Sequence, residues 1–310
     1  MDFGWSLRAG EHYNFFDVLL KTAYSTPSTS TFSRRILVSK SLVVGSGAMY
    51  GAYGAGVCAE LARQLGSEYF DSVYASSVGV FAATFFVAGQ PHVIESTWRG
   101  HVDGRKLINL FRVWRTLKLH YLEEIFQDER SFLDVEAVFR SRTCLTYVLT
   151  RISDGSAVYR SPSRHDIFRS MSASSATPML HGAVQLGSDR FFDGAFSDPL
   201  PVGKALESGT KLVVVVNNKR RDFRIARSFH LLGLACRFVS GTVARLIHNY
   251  EARVQETHRL LADSRVLVIR PSSPVPLRRA IDTNTARLNA TIDLGIRDAR
   301  KAIDELDKRC

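Results

Sequence analysis

The chain has 310 residues, 45% of them hydrophobic, and carries 41 lysines and arginines against 30 acidic residues, a formal charge of +11. The apolar content is enough for one large core, and parallel-sheet enzymes of this length commonly form a single domain. So strong a positive balance favours polyanionic partners, but zinc-finger spacing, an aromatic-rich RNA-binding signature and a basic tail are all missing, so no nucleic acid partner is expected and an anionic membrane surface is.

Residues 1–35 mix aromatics with the polar run Ser25 to Thr31 and predict an N-terminal extension ahead of a domain spanning 36–310. The first residues lack a basic stretch followed by an apolar core, so a cleaved secretory signal is not expected. No apolar run approaches the roughly 20 residues of a membrane span, the longest being about a dozen, from Val78 to Gly89. The four cysteines, 58, 144, 236 and 310, are too widely spaced for a zinc site or a disulfide scaffold. They predict free thiols in a reducing compartment, and hence a cytoplasmic protein with peripheral attachment to membranes.

From Arg35 onward, short β-branched runs alternate with helical stretches. Ile36 to Val44 predicts a buried strand ending at a turn punctuated by Gly45, Gly47 and Gly51, and Ala52 to Leu65 a helix. Asp71 to Tyr74 predicts a second strand running into Ser77, followed by an apolar helix through Phe86. Cys144 to Thr150, Lys211 to Val216 and Arg265 to Ile269 predict further strands. The alternation implies an α/β fold with a mostly parallel central sheet and helices on both faces. Two segments, Arg105 to His120 and Lys219 to Arg237, are basic and apolar together. They fit surface helices packed on the core, or interfacial helices docked on anionic lipid.

Three places carry candidate chemistry. A serine hydroxyl becomes a useful nucleophile when a sharp strand-to-helix turn exposes it, which demands small residues two before and two after. Ala75 and Gly79 flank Ser77 in this way, with Val78 between; the rival Ser76 lacks the downstream small residue. Backbone N–H groups at a glycine turn opening a helix can stabilise an oxyanion, which nominates Gly47, Ala48 and Met49. The same turn fits a dinucleotide site, but Asp71 falls before its strand, where it could not reach a ribose. Asp193 lies in Phe-Phe-Asp-Gly-Ala, between a Ser-Ala-Ser-Ser-Ala-Thr-Pro block (172–178) and Asp-Pro-Leu-Pro (198–201). An Asp-Gly pair alone marks only a turn, here with Gly194. A late histidine, His248 or His258, would complete a serine triad in chain order, although both fall in a charged helical stretch typical of a surface.

In this order, and with Ile269-Arg270-Pro271 leading to Asp293-Leu294-Gly295, the motifs make the chain resemble the patatin-like phospholipases. The resemblance implies a three-layer sandwich and a serine–aspartate dyad, Ser77 as nucleophile and Asp193 as general base, with no metal or other cofactor. It also implies a phospholipid or lysophospholipid substrate. The chain departs from the family's pattern at Ser46, Ala48 and Tyr50, the last standing where a basic residue is common, and at Ala75 and Ala195. Ser46 and Ala48 suit an oxyanion turn if neither needs a positive φ. The altered turn keeps open an alternative, a weak or inactive lipid-binding or scaffold protein on the same frame.

Overall fold

The computed structural model describes residues 39–101, 132–178, 180–221, 241–282 and 284–309. The N-terminal extension, the Arg105 to His120 segment, most of the Lys219 to Arg237 segment, Cys236 and Cys310 lie outside the described residues. Cys58 is buried and Cys144 exposed, both as free thiols.

Five parallel strands form the centre of an eight-stranded sheet. These are β1 (Lys40–Val44), β2 (Ser72–Ser76), β3 (Cys144–Arg151), β7 (Leu212–Val216) and β8 (Val266–Ile269), adjacent in the order β3-β2-β1-β7-β8. Successive residues of β1 point to opposite faces, and both faces are buried: Leu42 and Val44 join the larger core, Val43 the smaller. That is why the parallel strands read as unbroken apolar runs rather than as alternating ones.

Helices α1 (Gly51–Leu65), α2 (Gly79–Val87) and α8 (Thr285–Arg309) supply apolar side chains to the larger core. On the other face, α6 (Val202–Glu207) and the end of α7 (Gly241–Leu260) cover Val43, Tyr74, Val213 and Val215. The expected three-layer arrangement is therefore present. Among the described residues, no helix is long and apolar enough to cross a membrane.

The remaining strands, β4 (Ala157–Arg160), β5 (Val184–Leu186) and β6 (Asp189–Asp193), are antiparallel additions that the hydrophobic pattern does not announce. Their placement decides where the site falls. Both β4 and β6 pair with Leu149 and Thr150 of β3, so they lie along opposite edges of it. Both β4 and β2 pair with Tyr147 and Val148, so these too are on opposite edges. Hence β2 and β6 share one edge of β3 and meet end to end, Ser76 opposite Val148 and Asp193 opposite Leu149.

Helices α1 and α8 are held in contact by close backbone approach and by buried charge. A methyl group on Gly295 would fall 2.2 Å from the Tyr53 carbonyl oxygen, and one on Gly56 the same distance from that of Ile292. The Glu60 carboxylate, almost fully buried, accepts hydrogen bonds from Arg63 (3.0 Å) and from Arg300 of α8 (2.7 Å). In a free helix Gly→Ala would stabilise by about 1 kcal/mol. At Gly295 the collision with rigid backbone outweighs that gain, so Gly295→Ala lowers stability by about 1–3 kcal/mol. A urea titration checks this as a lower midpoint at unchanged slope.

Candidate functional site

The turn after β2 carries Ser77 in the left-handed region, φ 56°, a conformation uncommon for any residue but glycine. The strained turn leads directly into α2, and it sits hard against the first strand. A methyl group on Gly79 would lie 2.6 Å from the Val44 carbonyl oxygen and 2.8 Å from that of Gly45, so the small residue two after Ser77 is a steric necessity. The small residue two before, Ala75, is fully buried within β2. The rival Ser76 is also fully buried, and its hydroxyl has no partner among the described residues.

Ser77 Oγ donates to Asp193 Oδ2 at 2.8 Å, across 116 positions of sequence. Both residues are buried, at 7% and 3% exposure. Asp193 ends β6, and the chain turns there over the Val148 carbonyl, which would lie 2.1 Å from any methyl group on Gly194.

Asp193 is tied on every side. Its Oδ2 also accepts from Thr177 Oγ1 (2.9 Å), its Oδ1 from the Ala195 N–H (2.9 Å), and its own N–H donates to the Ala176 carbonyl (3.0 Å). Thr177 follows α5 (Ile167–Ser175), whose Ser174 accepts from the Ser77 N–H at 3.1 Å and donates to the Val148 carbonyl at 2.7 Å. The Ser172–Pro178 block thus holds both candidate residues, a role that its composition did not disclose.

Burial raises the Asp193 pKa to about 6, against the lowering effect of its three hydrogen bonds and of the Lys219 charge. The neutral acid is therefore within reach near neutral pH.

The glycine turn leaves the carboxyl end of β1 beside the Ser77 turn. Gly47 takes φ 158° and Ala48 φ 49°; Ser46 has no positive φ, so the tolerance expected for both substituted positions holds for Ser46 and not for Ala48. The expected donor set also needs a correction. The Met49 N–H donates to the Ala280 carbonyl at 3.0 Å, whereas the N–H groups of Gly47, Ala48 and Val78 have no acceptor among the described residues.

Sequence reasoning missed Asn218, which follows β7 and is fully buried. Its Nδ2 donates to the carbonyls of Gly45 (2.7 Å) and Ser46 (3.2 Å). Because a trans peptide points its C=O and N–H in opposite directions, fixing the Ser46 carbonyl aims the Gly47 N–H away from Asn218. Only the position after a buried strand hinted at this residue. Tyr50, where a cation was looked for, is partly buried, and the Lys219 charge acts on it as it does on Asp193.

Neither His248 nor His258 hydrogen-bonds to Ser77 or Asp193 among the described residues; His258 instead lines a cleft with Gly45, Ser46, Asn217 and Lys219. Asp71 caps the opposite end of the sheet, accepting from the Lys40 N–H at 2.8 Å, far from any ribose a glycine turn would hold. Among the described residues no three His, Cys, Asp or Glu side chains are gathered closely enough to bind a metal ion.

A doubly covered α/β sheet with a serine turn and a carboxylate at its carboxyl edge is the class of protein described so far. The chain belongs to the patatin-like phospholipase family, whose profile matches residues 42–206, more than half of its length. That family consists in general of carboxylic ester hydrolases acting on lipid acyl groups. Twelve solved chains match. One is VipD from Legionella pneumophila, 11% identical, with a TM-score of 0.50 over 86% of this chain and 67% of that one, a likeness of fold. No curated protein matches significantly.

The raised Asp193 value has a consequence for folding. An acid whose pKa is higher folded than unfolded costs stability when ionised: the penalty is absent below about pH 4, grows between pH 4 and 6 and is complete above 6. From 3.8 to about 6 it amounts to about 2–3 kcal/mol. Asp193→Asn, which keeps the shape and can reverse the hydroxyl hydrogen bonds, should therefore be more stable than the parent by that amount at pH 7.5 and equal to it at pH 4. Urea midpoints at the two pH values measure this; the same gap at both would remove burial as the cause.

Proposed function

We infer that this protein is a serine acyl hydrolase, a phospholipase A or lysophospholipase, that releases fatty acid from membrane lipids through an acyl-enzyme on Ser77. The observation that carries this reading is the 2.8 Å hydrogen bond from Ser77 Oγ to a buried Asp193 whose pKa is raised to about 6. A base of that strength is ionised at neutral pH yet basic enough to take a proton from a hydroxyl as it attacks. Thr177 and the Ala195 N–H keep the carboxylate oriented while the proton moves.

In the first half-reaction Ser77 Oγ attacks the acyl carbonyl and its proton passes to Asp193 Oδ2. The resulting oxyanion lies against the N–H groups of Gly47 and Ala48, which have no acceptor among the described residues and whose fixed dipoles need no reorganisation. Collapse expels the alcohol, which leaves with the proton from Asp193. Water then gives a proton to Asp193 and attacks the acyl-enzyme; the returning proton restores Ser77 and the fatty acid departs. The formal charge of +11 favours approach to anionic lipid surfaces.

A second reading, a weakly active or inactive lipid-binding protein, draws support from the occupied Met49 N–H and the left-handed Ala48. A fluorophosphonate probe separates the two: labelling of the parent and none of Ser77→Ala supports the enzyme, and vesicle binding without any labelling supports the other.

For the enzyme, Ser77→Ala and Asp193→Asn each lower fatty acid release by about 10³-fold or more with the circular dichroism spectrum unchanged. The parent's kcat/KM rises with pH through about 6 and then levels, since the ionised carboxylate is the active form. Asn218→Ala, which frees the turn without touching the dyad, lowers kcat by about 10–100-fold and leaves KM nearly unchanged. A rise in KM alone would make Asn218 part of substrate binding instead.

A further inference from the structure

One oxygen of the Asp193 carboxylate serves two hydroxyls. Ser77 Oγ donates to Oδ2 at 2.8 Å and Thr177 Oγ1 donates to the same atom at 2.9 Å, while Oδ1 accepts from the Ala195 N–H at 2.9 Å. A carboxylate oxygen offers two lone pairs, so the two hydroxyls together engage both lone pairs of Oδ2. The proton that leaves Ser77 therefore arrives on an oxygen that Thr177 already holds.

Thr177 is itself fixed from both sides. Its N–H donates to the Ser175 carbonyl (2.8 Å), its carbonyl accepts from the N–H groups of Leu180 (3.1 Å) and His181 (2.9 Å), and the neighbouring Ala176 carbonyl accepts the Asp193 N–H (3.0 Å). A β-branched side chain on a backbone held in this way has few rotamers, so Oγ1 is aimed at one place. The carboxyl group differs, because the torsion that turns it is broad and soft. Its orientation depends on its hydrogen bonds, and one of these does not survive the reaction: once Ser77 Oγ carries the acyl group it has no hydrogen to donate. Among the described residues, Thr177 is then the side chain still donating to Oδ2.

We propose that Thr177 is the positioning residue of the second half-reaction, holding Asp193 Oδ2 towards the acyl-enzyme while water replaces the Ser77 hydroxyl on that oxygen. This rests on the hydrolase reading and names the residue that favours completion of the turnover over stalling at the ester. It assigns Thr177 little part in acylation, where the Ser77 hydroxyl itself orients the carboxylate.

The same hydrogen bond acts on charge. Donation from Thr177 favours the ionised carboxylate and opposes burial, as do the Ala195 N–H, the Ser77 hydroxyl and the Lys219 charge. The other polar groups around Asp193 have partners of their own. From β3 the Thr150 hydroxyl donates to the Asp193 carbonyl (2.7 Å), and from α5 Ser174 is bonded to the Ser77 N–H and the Val148 carbonyl. Beyond β6, Asp198 accepts from Tyr159 Oη (2.8 Å), and after β7 Lys219 Nζ donates to Tyr250 Oη of α7 (2.9 Å). Loss of the Thr177 hydroxyl therefore moves the ionisation of Asp193 to higher pH.

The test compares the parent with Thr177→Val, which keeps the shape and loses the donor, and Thr177→Ser, which keeps the donor. Each is mixed at pH 8 with a p-nitrophenyl acyl ester, quenched in acid, and the acyl-enzyme on Ser77 is followed by intact mass. In Thr177→Val the acyl-enzyme forms within about threefold of the parent's rate and decays about tenfold or more slowly, so it accumulates. Its kcat/KM also rises at a pH about one unit higher than the parent's. Thr177→Ser restores both. Equal slowing of formation and decay, an unmoved pH profile, or Thr177→Ser behaving like Thr177→Val would each overturn the proposal while leaving the hydrolase reading in place. A parent that forms no acyl-enzyme and releases no fatty acid would remove the hydrolase reading, and this proposal with it.

Discussion

Two strands ending head to head on one edge of β3 are the constraint on which the site depends. β2 runs parallel to β3 and stops at Ser76, opposite Val148; β6 runs antiparallel and stops at Asp193, opposite Leu149. Neighbouring positions on β3 therefore bring together residues 116 positions apart. The junction interrupts the ladder and leaves the Val148 carbonyl without a strand partner. Buried carbonyls need a donor, and Ser174 Oγ supplies one while accepting the Ser77 N–H with the same oxygen. The chain can pass over that carbonyl only without a side chain, which is why Gly194 follows Asp193. The serine block, the Asp-Gly pair and the Ser77 turn are thus parts of one repair to a broken sheet edge.

A raised pKa does not by itself single out the base. Asp198, five residues beyond Asp193, is more exposed to solvent, yet burial also raises it to about 6. Its surroundings differ in kind: it accepts from the Tyr159 hydroxyl, whose own pKa is pushed up by burial and by the Asp198 charge, and from the backbone of its own turn. The Tyr159 hydroxyl ties Asp198 to β4, whereas the Ser77 hydroxyl sits in a strained turn between a strand and a helix. The hydroxyl that each holds, a serine on a strand-to-helix turn or a tyrosine on β4, separates the two carboxylates.

The sequence made the parallel half of the fold legible and left the antiparallel half dark, for a physical reason. β1, β2, β3, β7 and β8 are buried on both faces, so their apolar runs are visible without knowing their neighbours; the first predicted strand fits from Lys40, with Ser39 outside the strand and residues 36–38 outside the described part. β4, β5 and β6 are three to five residues long and mix Arg, Gln and Asp with apolar residues, because they lie at the partly exposed end of the sheet. No local pattern reveals that β6 shares an edge with β2, yet that pairing joins Ser77 to Asp193. Residues quoted for their chemistry stood out, while those acting through geometry, Ser174, Thr177 and Asn218, looked like ordinary polar residues. The Met49 N–H was nominated from its place in the turn, and a partner more than 200 residues away, Ala280, occupies it. Such long-range satisfaction has no signature in a local motif.

Two residues other than glycine have positive φ among those described, Ala48 at 49° and Ser77 at 56°, and both belong to the candidate site. Each costs on the order of 1–2 kcal/mol relative to a right-handed backbone. Such strain persists only where surrounding contacts leave no alternative. For Ser77 these are the Ser174 hydroxyl on its N–H, the Asp193 carboxylate on its side chain, and the packing of Gly79 directly against the end of β1. For Ala48 they lie on either side: Asn218 grips the Gly45 and Ser46 carbonyls before it, and Ala280 holds the Met49 N–H after it. A glycine at 48 would relieve the strain but also widen the range of backbone directions open to the turn. Alanine in a clamped left-handed position makes the opposite exchange, less stability for a narrower spread of N–H orientations, so the substituted turn is stiff rather than broken.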